Sequence, residues 1–288
     1  MLCNLNDVLY DAKKNKYAVG LFNTVCLEMA EGVIAAAEET RSPVIIGTAE
    51  VLLPFSELEQ LSYLILPLAK KASVPVVVHF DHGLTTKRIY QAMELGFSSI
   101  MYDCSTLSYE ANIDELRRVV ADAHSRGVSV EGELGHVGAN DAEHGGETDS
   151  DSSIYTQPEQ AVDFVRRTGV DALAVAIGTA HGAYKKKPKL DFIRLAEIAE
   201  AVSVPLVLHG GSGLSDDDFR RSVAGGIAKV NIFTDINNAC AAASYNTYAQ
   251  ALGQGKTLGQ TDVMRAMVAA VKAETEKKMT LFGSCGRG

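Results

Sequence analysis

The chain has 288 residues, of which 47% are hydrophobic, and its formal net charge at pH 7 is −9. This length suits one large α/β domain of ~250 residues with extra helices, and the core of such a domain needs no disulfide or structural metal. The acidic balance argues against nucleic acid and anionic membranes as partners, because both repel a negatively charged protein.

The cysteines and the first residues indicate the cellular compartment. The five cysteines are scattered and form no C-x-x-C pair, which is typical of free thiols in a reducing environment. The first 16 residues lack the apolar core of a signal peptide, and the longest apolar runs are too short to span a bilayer. We therefore predict a cytoplasmic protein with neither nucleic acid nor membrane among its partners.

Eight short apolar runs, rich in β-branched residues, recur along the chain and predict β-strands. Several are apolar at consecutive rather than alternate positions, which is typical of strands covered on both faces. The predicted strands lie at 17–23, 43–48, 75–80, 98–103, 129–134, 172–177, 205–210 and 228–233.

Amphipathic patterns near a 3.6-residue period separate these runs and predict helices, for example at 27–40, 57–72, 112–127, 158–169 and 191–202. Residues 2–14 predict a helix that caps the bottom of a barrel, and 235–281 predict two extra C-terminal helices. Strands that alternate with helices predict a parallel sheet. We expect it to close into a (β/α)8 TIM barrel, a single domain over 1–288, with an open doubly wound sheet as the alternative.

One polar segment interrupts the alternation. Residues 135–156 are rich in Gly, Asp and Ser and follow the fifth predicted strand. Because a long polar loop in a compact barrel is typically functional or disordered, and barrel enzymes keep their chemistry at the carboxyl ends of the strands, we expect this loop to lie beside the active site.

Four histidines fall at or near strand ends and therefore at one predicted rim. They are His79, His82, His181 and His209. A single histidine of this kind is usually a hydrogen-bonded structural residue, but three imidazoles with one open coordination position are the pattern of a catalytic Zn²⁺ site. The convergence therefore predicts a metal site. By contrast, His124 lies on an exposed helix, and His136 belongs to the polar loop.

Acidic residues accompany these histidines. Asp81 lies between His79 and His82 in HFDH, where a carboxylate either orients a ligand histidine or exchanges protons with a substrate; we favour proton exchange. Asp103 ends the fourth predicted strand, while Glu131 and Glu133 share one face of the fifth. We expect contacts around the metal from these three, with Glu133 favoured over Asp103.

A phosphate site is predicted after the last two strands. HGGSG (209–213) follows the seventh strand and NIFTD (231–235) follows the eighth. Glycines let backbone N–H groups approach a phosphate, and Ser212 adds a donor. Barrels commonly bind phosphate in these two loops. The basic run KKKPK (185–189) either adds a cation or forms a solvated face.

The chain resembles the class II, metal-dependent ketose-bisphosphate aldolases, and most of all their tagatose-1,6-bisphosphate branch. The resemblance runs from about residue 5 to the C-terminus and includes AVGLFN (18–23), VEGELGHVG (130–138) and LFGS (281–284). Its most specific motifs are HFDH (79–82), AVAIGTAHGAY (174–184), PLVLHGGSGL (205–214) and KVNIFTD (229–235).

The resemblance implies a role for each matching residue. It implies that His82, His181 and His209 bind Zn²⁺, that Asp81 is the catalytic proton donor, and that a loop carboxylate, Asp141 or Glu143, removes a proton from dihydroxyacetone phosphate. It further implies that Na⁺ or K⁺ assists and that the chain forms a homodimer or homotetramer. The implied substrate contacts are Asn23, Gly182, Gly210, Gly211, Ser212, Asn231 and Thr234.

Departures from the family pattern concern the aldehyde half of the substrate. Gly83 follows the ligand histidine where the tagatose branch commonly has a second histidine, Cys104 replaces a glycine, and Phe233 stands where fructose-bisphosphate aldolases commonly have Asp. The loop GTAEVLLP (47–54) also departs from the family. Arg287, near the C-terminus, either binds a second phosphate or is solvated.

The leading interpretation is reversible cleavage of a ketose 1,6-bisphosphate, of tagatose or fructose type, into dihydroxyacetone phosphate and an aldehyde such as glyceraldehyde 3-phosphate. Within aldolases, the alternative is another ketose 1-phosphate or a sugar-acid phosphate. A metal-dependent sugar-phosphate isomerase or epimerase and a non-catalytic aldolase subunit are the other classes, and product analysis separates them.

Overall fold

Eight parallel strands close into a barrel in the computed structural model, which describes residues 1–137, 155–180 and 188–288. Each strand pairs with the next along the chain, and the last pairs with the first, with Leu21 opposite Asn231. A two-residue strand, β1 (Leu2–Cys3), pairs with Val76 and Val77 at the bottom of the barrel. The barrel strands are β2 (Val19–Asn23), β3 (Val44–Ala49), β4 (Val76–Gly83), β5 (Ser99–Tyr102), β6 (Ser129–Leu134), β7 (Ala172–Val175), β8 (Leu206–Leu208) and β9 (Ile227–Ile232).

Helices surround the strands and confirm the predicted (β/α)8 order. Because β2 pairs with β9, the sheet has no free edges, and the open doubly wound alternative is wrong. A single turn of 3-10 helix, Glu50–Leu52, follows β3. The α-helices are α1 (Leu5–Asn15), α2 (Leu27–Thr40), α3 (Leu58–Lys71), α4 (Thr86–Leu95), α5 (Tyr109–Ser125), α6 (Pro158–Thr168), α7 (Phe192–Ala201), α8 (Asp216–Ala224), α9 (Thr234–Gly253) and α10 (Gln260–Phe282).

The N-terminal helix α1 closes the bottom of the barrel, as its apolar spacing predicts. It begins at Asn4, whose side chain accepts a hydrogen bond from the Asn6 N–H, while the Asp7 carboxylate accepts one from the Asn4 N–H. Its fully buried Leu5 and Leu9 pack with apolar side chains from the inner faces of the strands. The barrel interior is therefore filled from below, and only its upper end is open to substrate.

Successive strand residues divide between two environments, which explains the continuous apolar runs. In β4, Val78 and Phe80 belong to the cluster under the outer helices, whereas Val77 faces the barrel interior. His79 and Asp81 are on the same alternate positions as Val77 and also point inward. The carboxyl half of the barrel interior therefore carries polar residues above an apolar floor.

The C-terminal residues lie at the bottom of the barrel. Arg287 lies over the Tyr17 ring, 5.3 Å from its centroid, and the preceding helix ends beside the start of β2, where the Ala18 N–H donates to Phe282 O. Arg287 is thus at the bottom of the barrel, at the end opposite the predicted phosphate site.

Within the described ranges, no helix combines the length and apolar character needed to cross a lipid bilayer.

Candidate active site

The end of β4 turns two consecutive side chains into one cavity. Neighbouring strand residues normally point to opposite faces, yet Asp81 and His82 both line the cavity at the carboxyl ends of the strands. His82 achieves this with a left-handed backbone, φ +40°, and the pairing of β4 with β5 is irregular between Phe80 and Gly83. Such a backbone costs about 1–3 kcal/mol and is concentrated at functional sites.

Two imidazoles face each other at the carboxyl ends of the strands, and one of them, His82, lines this cavity. His82 Nε2 lies 2.6 Å from His209 Nδ1, and the rings are nearly perpendicular, at 82°. Behind them, His82 Nδ1 lies 3.0 Å from Asp103 Oδ2, and His209 Nε2 lies 2.8 Å from Glu131 Oε1. A carboxylate on the rear nitrogen takes up the N–H of that ring and directs the lone pair of the front nitrogen forward, which is the arrangement around metal-binding histidines.

The pKa values of the two imidazoles move in opposite directions. Burial lowers the pKa of His82, but the Asp81 charge and the Asp103 hydrogen bond raise it more, to about 9. Burial and the charge of His82 lower the pKa of His209. These shifts favour the protonated form of His82 and the neutral form of His209, and a divalent ion bound between the rings must displace the His82 proton. The donor set fits a metal, because both front nitrogens can direct a lone pair at a bound cation once that proton is lost, and each ring has a carboxylate behind it.

Asp81 is held by two amides on the adjacent wall. Asn23 Nδ2 donates to Asp81 Oδ2 at 2.7 Å, and Asn231 Nδ2 donates to Asp81 Oδ1 at 2.9 Å. The carboxylate is only 2% exposed. Burial alone raises its pKa, but the neighbouring charges of His82 and Lys229 outweigh burial and hold the pKa below its ordinary value. Asp81 is thus an oriented, ionised carboxylate at the cavity wall.

The remaining acidic residues, Asp103 and Glu133, make different contacts. Asp103 contacts His82 directly, and the Ser105 N–H supports it at 3.0 Å. Glu133, which the sequence favoured over Asp103, instead accepts the Val137 N–H at 3.0 Å. Burial and the Asp103 charge raise the pKa of Glu133 to about 8. One ligand atom from each of His82, Asp103 and Glu133 nevertheless lies within 4.8 Å of the others.

His79 does not reach the rim, which corrects the expectation of four histidines at one level. It is fully buried inside the barrel, and its Nδ1 lies 2.7 Å from Ser99 Oγ. Its Nε2 lies 3.9 Å from Asp81 Oδ1 and 4.0 Å from Glu131 Oε2. Burial and the Lys229 charge lower the pKa of His79 to about 3, so His79 is a neutral residue beneath the site.

The predicted phosphate residues border the same cavity, whose volume is about 550 Å³. Gly210 has φ +64°, and a Cβ there would lie 2.4 Å from Ala180 O, so only glycine fits this turn. Ser212 Oγ accepts the Phe233 N–H at 3.3 Å, joining the loops after β8 and β9. The predicted contacts that line the cavity are Asn23, Gly210, Gly211, Ser212, Asn231 and Thr234.

Apolar side chains also line the cavity. Val51, Leu52, Leu84 and Phe233 line it, and they follow β3, β4 and β9. Glu50 fixes part of this lining, because its Oε2 accepts the Leu84 N–H at 2.7 Å. The departures from the family motifs in GTAEVLLP and at Phe233 therefore both border the cavity, and Phe233 lies within the predicted phosphate loop after β9.

Four predicted site residues lie outside the described residues. They are the metal ligand His181, the phosphate contact Gly182 and the loop acids Asp141 and Glu143. Their assigned roles stay predictions. Among the described residues of the polar loop, His136 Nδ1 lies 3.1 Å from Ser105 Oγ, and both residues are beside the Asp103 end of the site.

Lys229 is the functional candidate missing from the sequence-based set. It is fully buried and lies 2.8 Å from Glu131 Oε2 and 2.7 Å from Asn231 Oδ1. The signal was present, since Lys229 precedes Asn231 by two residues in KVNIFTD and therefore points to the same face of β9. A lysine facing the interior of a closed barrel requires partners.

Comparisons with known proteins identify the family of the chain. The family model described as fructose-bisphosphate aldolase class-II matches residues 3–287. The chain is 40% identical over 290 residues to the Escherichia coli K12 protein YdjI, covering 98% of this chain and 99% of that protein. The crystal structure of the YdjI aldolase superposes with a TM-score of 0.88, at 38% identity and 100% and 99% coverage.

Two named enzymes are similarly related over their whole lengths. The fructose-bisphosphate aldolase of Thermus caldophilus is 39% identical over 311 residues, with 100% of both chains covered. The 6-phospho-5-dehydro-2-deoxy-D-gluconate aldolase of Shouchella clausii is 39% identical over 284 residues, covering 97% of this chain and 94% of that enzyme. The chain therefore belongs to the class II fructose-bisphosphate aldolase family, whose members are metal-dependent carbon–carbon lyases.

Proposed function

We propose that the chain is a Zn²⁺-dependent aldolase that reversibly cleaves a ketose 1,6-bisphosphate, of tagatose or fructose type, into dihydroxyacetone phosphate and an aldehyde such as glyceraldehyde 3-phosphate. One observation carries the proposal: His82 Nε2 and His209 Nδ1 face each other at 2.6 Å, each with a carboxylate behind it, beside Asp81. This combines a metal-binding donor pair with a neighbouring proton-transfer group.

The metal would be held by His82, His209 and, outside the described residues, His181. Three imidazoles with an open coordination position favour zinc. When bound, Zn²⁺ supplies Lewis-acid stabilisation of the negative charge that develops on the substrate oxygen next to the reacting carbon. We also propose that Na⁺ or K⁺ assists, as the family resemblance implies.

Asp81 would handle the proton of the aldehyde oxygen. In the cleavage direction, its carboxylate accepts the hydroxyl proton as the carbon–carbon bond breaks, and in condensation it returns that proton. The two amides of Asn23 and Asn231 fix both carboxylate oxygens, so the orientation needed for transfer exists before substrate arrives. Asp141 or Glu143, both in the polar loop, would exchange the proton on the triose phosphate carbon.

The phosphate of the triose half would bind between the loops after β8 and β9. Gly210, Gly211 and Ser212 meet the start of α9 at Thr234 there. The first N–H groups of a helix carry partial positive charge and favour anions, and the α9 N-cap residue Phe233 provides no side-chain hydrogen bond to them. Gly182 and the amide of Asn231 complete the proposed set of substrate contacts.

The apolar lining supports a second candidate substrate. Val51, Leu52 and Leu84 border the cavity in the segments after β3 and β4, not in the loops after β8 and β9, and such side chains do not solvate a phosphate. The alternative is therefore a ketose 1-phosphate or a sugar-acid phosphate whose aldehyde half carries no phosphate. An isomerase or epimerase would also use a metal, but its product retains every carbon of the substrate.

A panel of phosphorylated ketoses, with released triose phosphate as the readout, tests the proposal. Tagatose and fructose 1,6-bisphosphates are compared with ketose 1-phosphates, and bound zinc is measured on the same samples. His209→Ala should lose both zinc and activity. His124→Ala is the matched control, because His124 pairs with Asp171 at 2.8 Å on the outside of the barrel.

Three results would contradict the proposal. Release of no triose phosphate from any ketose would reject the aldol reaction, and a product with the full carbon count would favour the isomerase. Full zinc occupancy and unchanged turnover in His209→Ala would reject the metal assignment.

The small-molecule substrate is the only partner we propose besides copies of the chain itself. Tyr245 and Leu252 on α9 are 73% and 79% exposed, which favours burial of this helix in a homodimer or homotetramer. Light scattering of the purified protein measures that state. We also place the protein in the cytoplasm, which fractionation of the native cells tests.

A further inference from the structure

A buried lysine lies at the centre of the polar network beneath the candidate metal site. Lys229 is on β9, its side chain has no exposed surface, and it points into the barrel between β6 and β9. Neutral side chains fill such positions at lower cost, since an ammonium group loses its hydration there. A lysine at this position therefore calls for a role that a neutral side chain would not perform.

The first contact of Lys229 leads to a candidate metal ligand. Its Nζ lies 2.8 Å from Glu131 Oε2, while Glu131 Oε1 lies 2.8 Å from His209 Nε2. One carboxylate thus bridges the ammonium group and the imidazole. An acceptor at Nε2 keeps the proton on that nitrogen and leaves Nδ1, the atom facing His82, to bind a cation.

The second contact of Lys229 leads to the proton-transfer carboxylate. The ammonium donates to Asn231 Oδ1 at 2.7 Å, which forces the amide nitrogen of Asn231 to the other side. That nitrogen donates to Asp81 Oδ1 at 2.9 Å. Since an ammonium group is only a donor, it fixes which end of the Asn231 amide faces Asp81.

We propose that Lys229 is a positioning residue: through Glu131 it holds His209 with Nδ1 directed at the divalent ion, and through Asn231 it holds the amide that orients Asp81. The inference rests on the proposed metal-dependent function. One buried cation thereby sets the hydrogen-bond direction on both halves of the site.

Fold stability alone is a weaker explanation for Lys229. A buried ion pair replaced by neutral groups of similar size is often neutral for stability, whereas removal of one partner leaves an uncompensated charge. Lys13 provides a contrast within the same chain. Its Nζ donates to Val202 O and Ser203 O, both at 2.7 Å, at the bottom of the barrel. Loss of Lys13 should affect stability without affecting the site.

The test measures divalent-ion affinity by competition with a chromogenic chelator, together with the visible spectrum of the Co²⁺-loaded protein. The variants are Lys229→Met, Glu131→Gln, their double variant, and the control Lys13→Met. Substitution of groups that orient metal ligands typically weakens binding about 10–100-fold, and we expect that loss and an altered Co²⁺ spectrum in Lys229→Met. Lys13→Met should retain wild-type affinity and spectrum, whatever its thermal stability.

The double variant keeps the test decisive if Lys229→Met does not fold. It leaves no unpaired charge in the barrel, and the introduced glutamine can still accept the His209 N–H, although nothing fixes which end of its amide faces the ring. Its affinity should lie between wild type and Lys229→Met, because the two side chains act as one unit. Wild-type affinity in a folded Lys229→Met, or in the double variant where the single is unfolded, overturns the inference. If the wild-type protein itself binds no divalent ion, the proposed function fails first and the inference fails with it.

Discussion

The Asp81→Asn substitution removes the proton-transfer carboxylate and keeps the size of the side chain. Each carboxylate oxygen of Asp81 accepts one amide N–H, from Asn23 at 2.7 Å and from Asn231 at 2.9 Å. The substitution turns one acceptor into a donor that faces a donor, and an unsatisfied buried group costs about 1–3 kcal/mol. Loss of the proton-transfer group lowers turnover by about 10²–10⁴-fold, equal to about 2.7–5.4 kcal/mol in the barrier.

The assay for Asp81→Asn combines retro-aldol turnover with the metal content of the same sample. His82 and His209 keep their supports, Asp103 and Glu131, so bound metal should remain at the wild-type level while turnover falls. Exchange of solvent hydrogen into dihydroxyacetone phosphate should persist, since a different carboxylate handles that proton. A metal-loaded variant with near-wild-type turnover would remove Asp81 from the mechanism. Asp122→Asn, on the outer surface beside Tyr90, is the matched control.

Three further predictions follow from the geometry. Asp103→Asn should weaken divalent-ion affinity about 10–100-fold, because it removes the carboxylate 3.0 Å from His82; unchanged affinity in a chelator competition would contradict this. Gly210→Ala should raise the KM for the phosphorylated substrate, since a Cβ at φ +64° would meet Ala180 O at 2.4 Å; an unchanged KM would exclude this turn from the phosphate site. Either Asp141→Ala or Glu143→Ala should abolish hydrogen exchange into dihydroxyacetone phosphate, and full exchange in both would assign that proton to another group.

The barrel was predictable because its strands are covered on both faces. Runs such as 75–80 are apolar at consecutive positions, which periodicity recognises as buried parallel strands. The bounds of the strands were less predictable from the sequence. Predicted 205–210 is observed as Leu206–Leu208, because the Gly210 turn ends regular pairing early. The two-residue strand Leu2–Cys3 depends on contact with β4, which no local pattern encodes.

The residue types of the candidate site were predictable from the sequence, but the directions of their side chains were not. Alternation places Asp81 and His82 on opposite faces, and only the left-handed backbone of His82 brings them together. Position near a strand end also does not reveal how deep a side chain lies. The sequence therefore placed His79 at the same rim as His82, although His79 lies inside the barrel. These features depend on tertiary packing, which overrides the local pattern.

The partners of charged residues were the feature least predictable from the sequence. Lys229 and Glu131 are far apart in sequence but 2.8 Å apart across the barrel, and a single sequence does not reveal such pairs. The C-terminal arginine shows the same limit. Its charge was compatible with either a second-phosphate contact or solvation, and Arg287 lies exposed against Tyr17 at the other end of the barrel. Charge identifies a residue's chemistry, and the fold alone assigns its partner.

Removal and return of the metal tests the central claim most directly. The protein is stripped with a chelator, cleavage of the best ketose phosphate is measured, and Zn²⁺ is added back in steps up to one ion per chain. Activity should disappear on stripping and return in proportion to zinc, while borohydride with substrate should leave the enzyme active because no lysine Schiff base forms. Full-rate cleavage by the stripped protein, or covalent trapping by borohydride, would contradict a mechanism built on facing imidazoles.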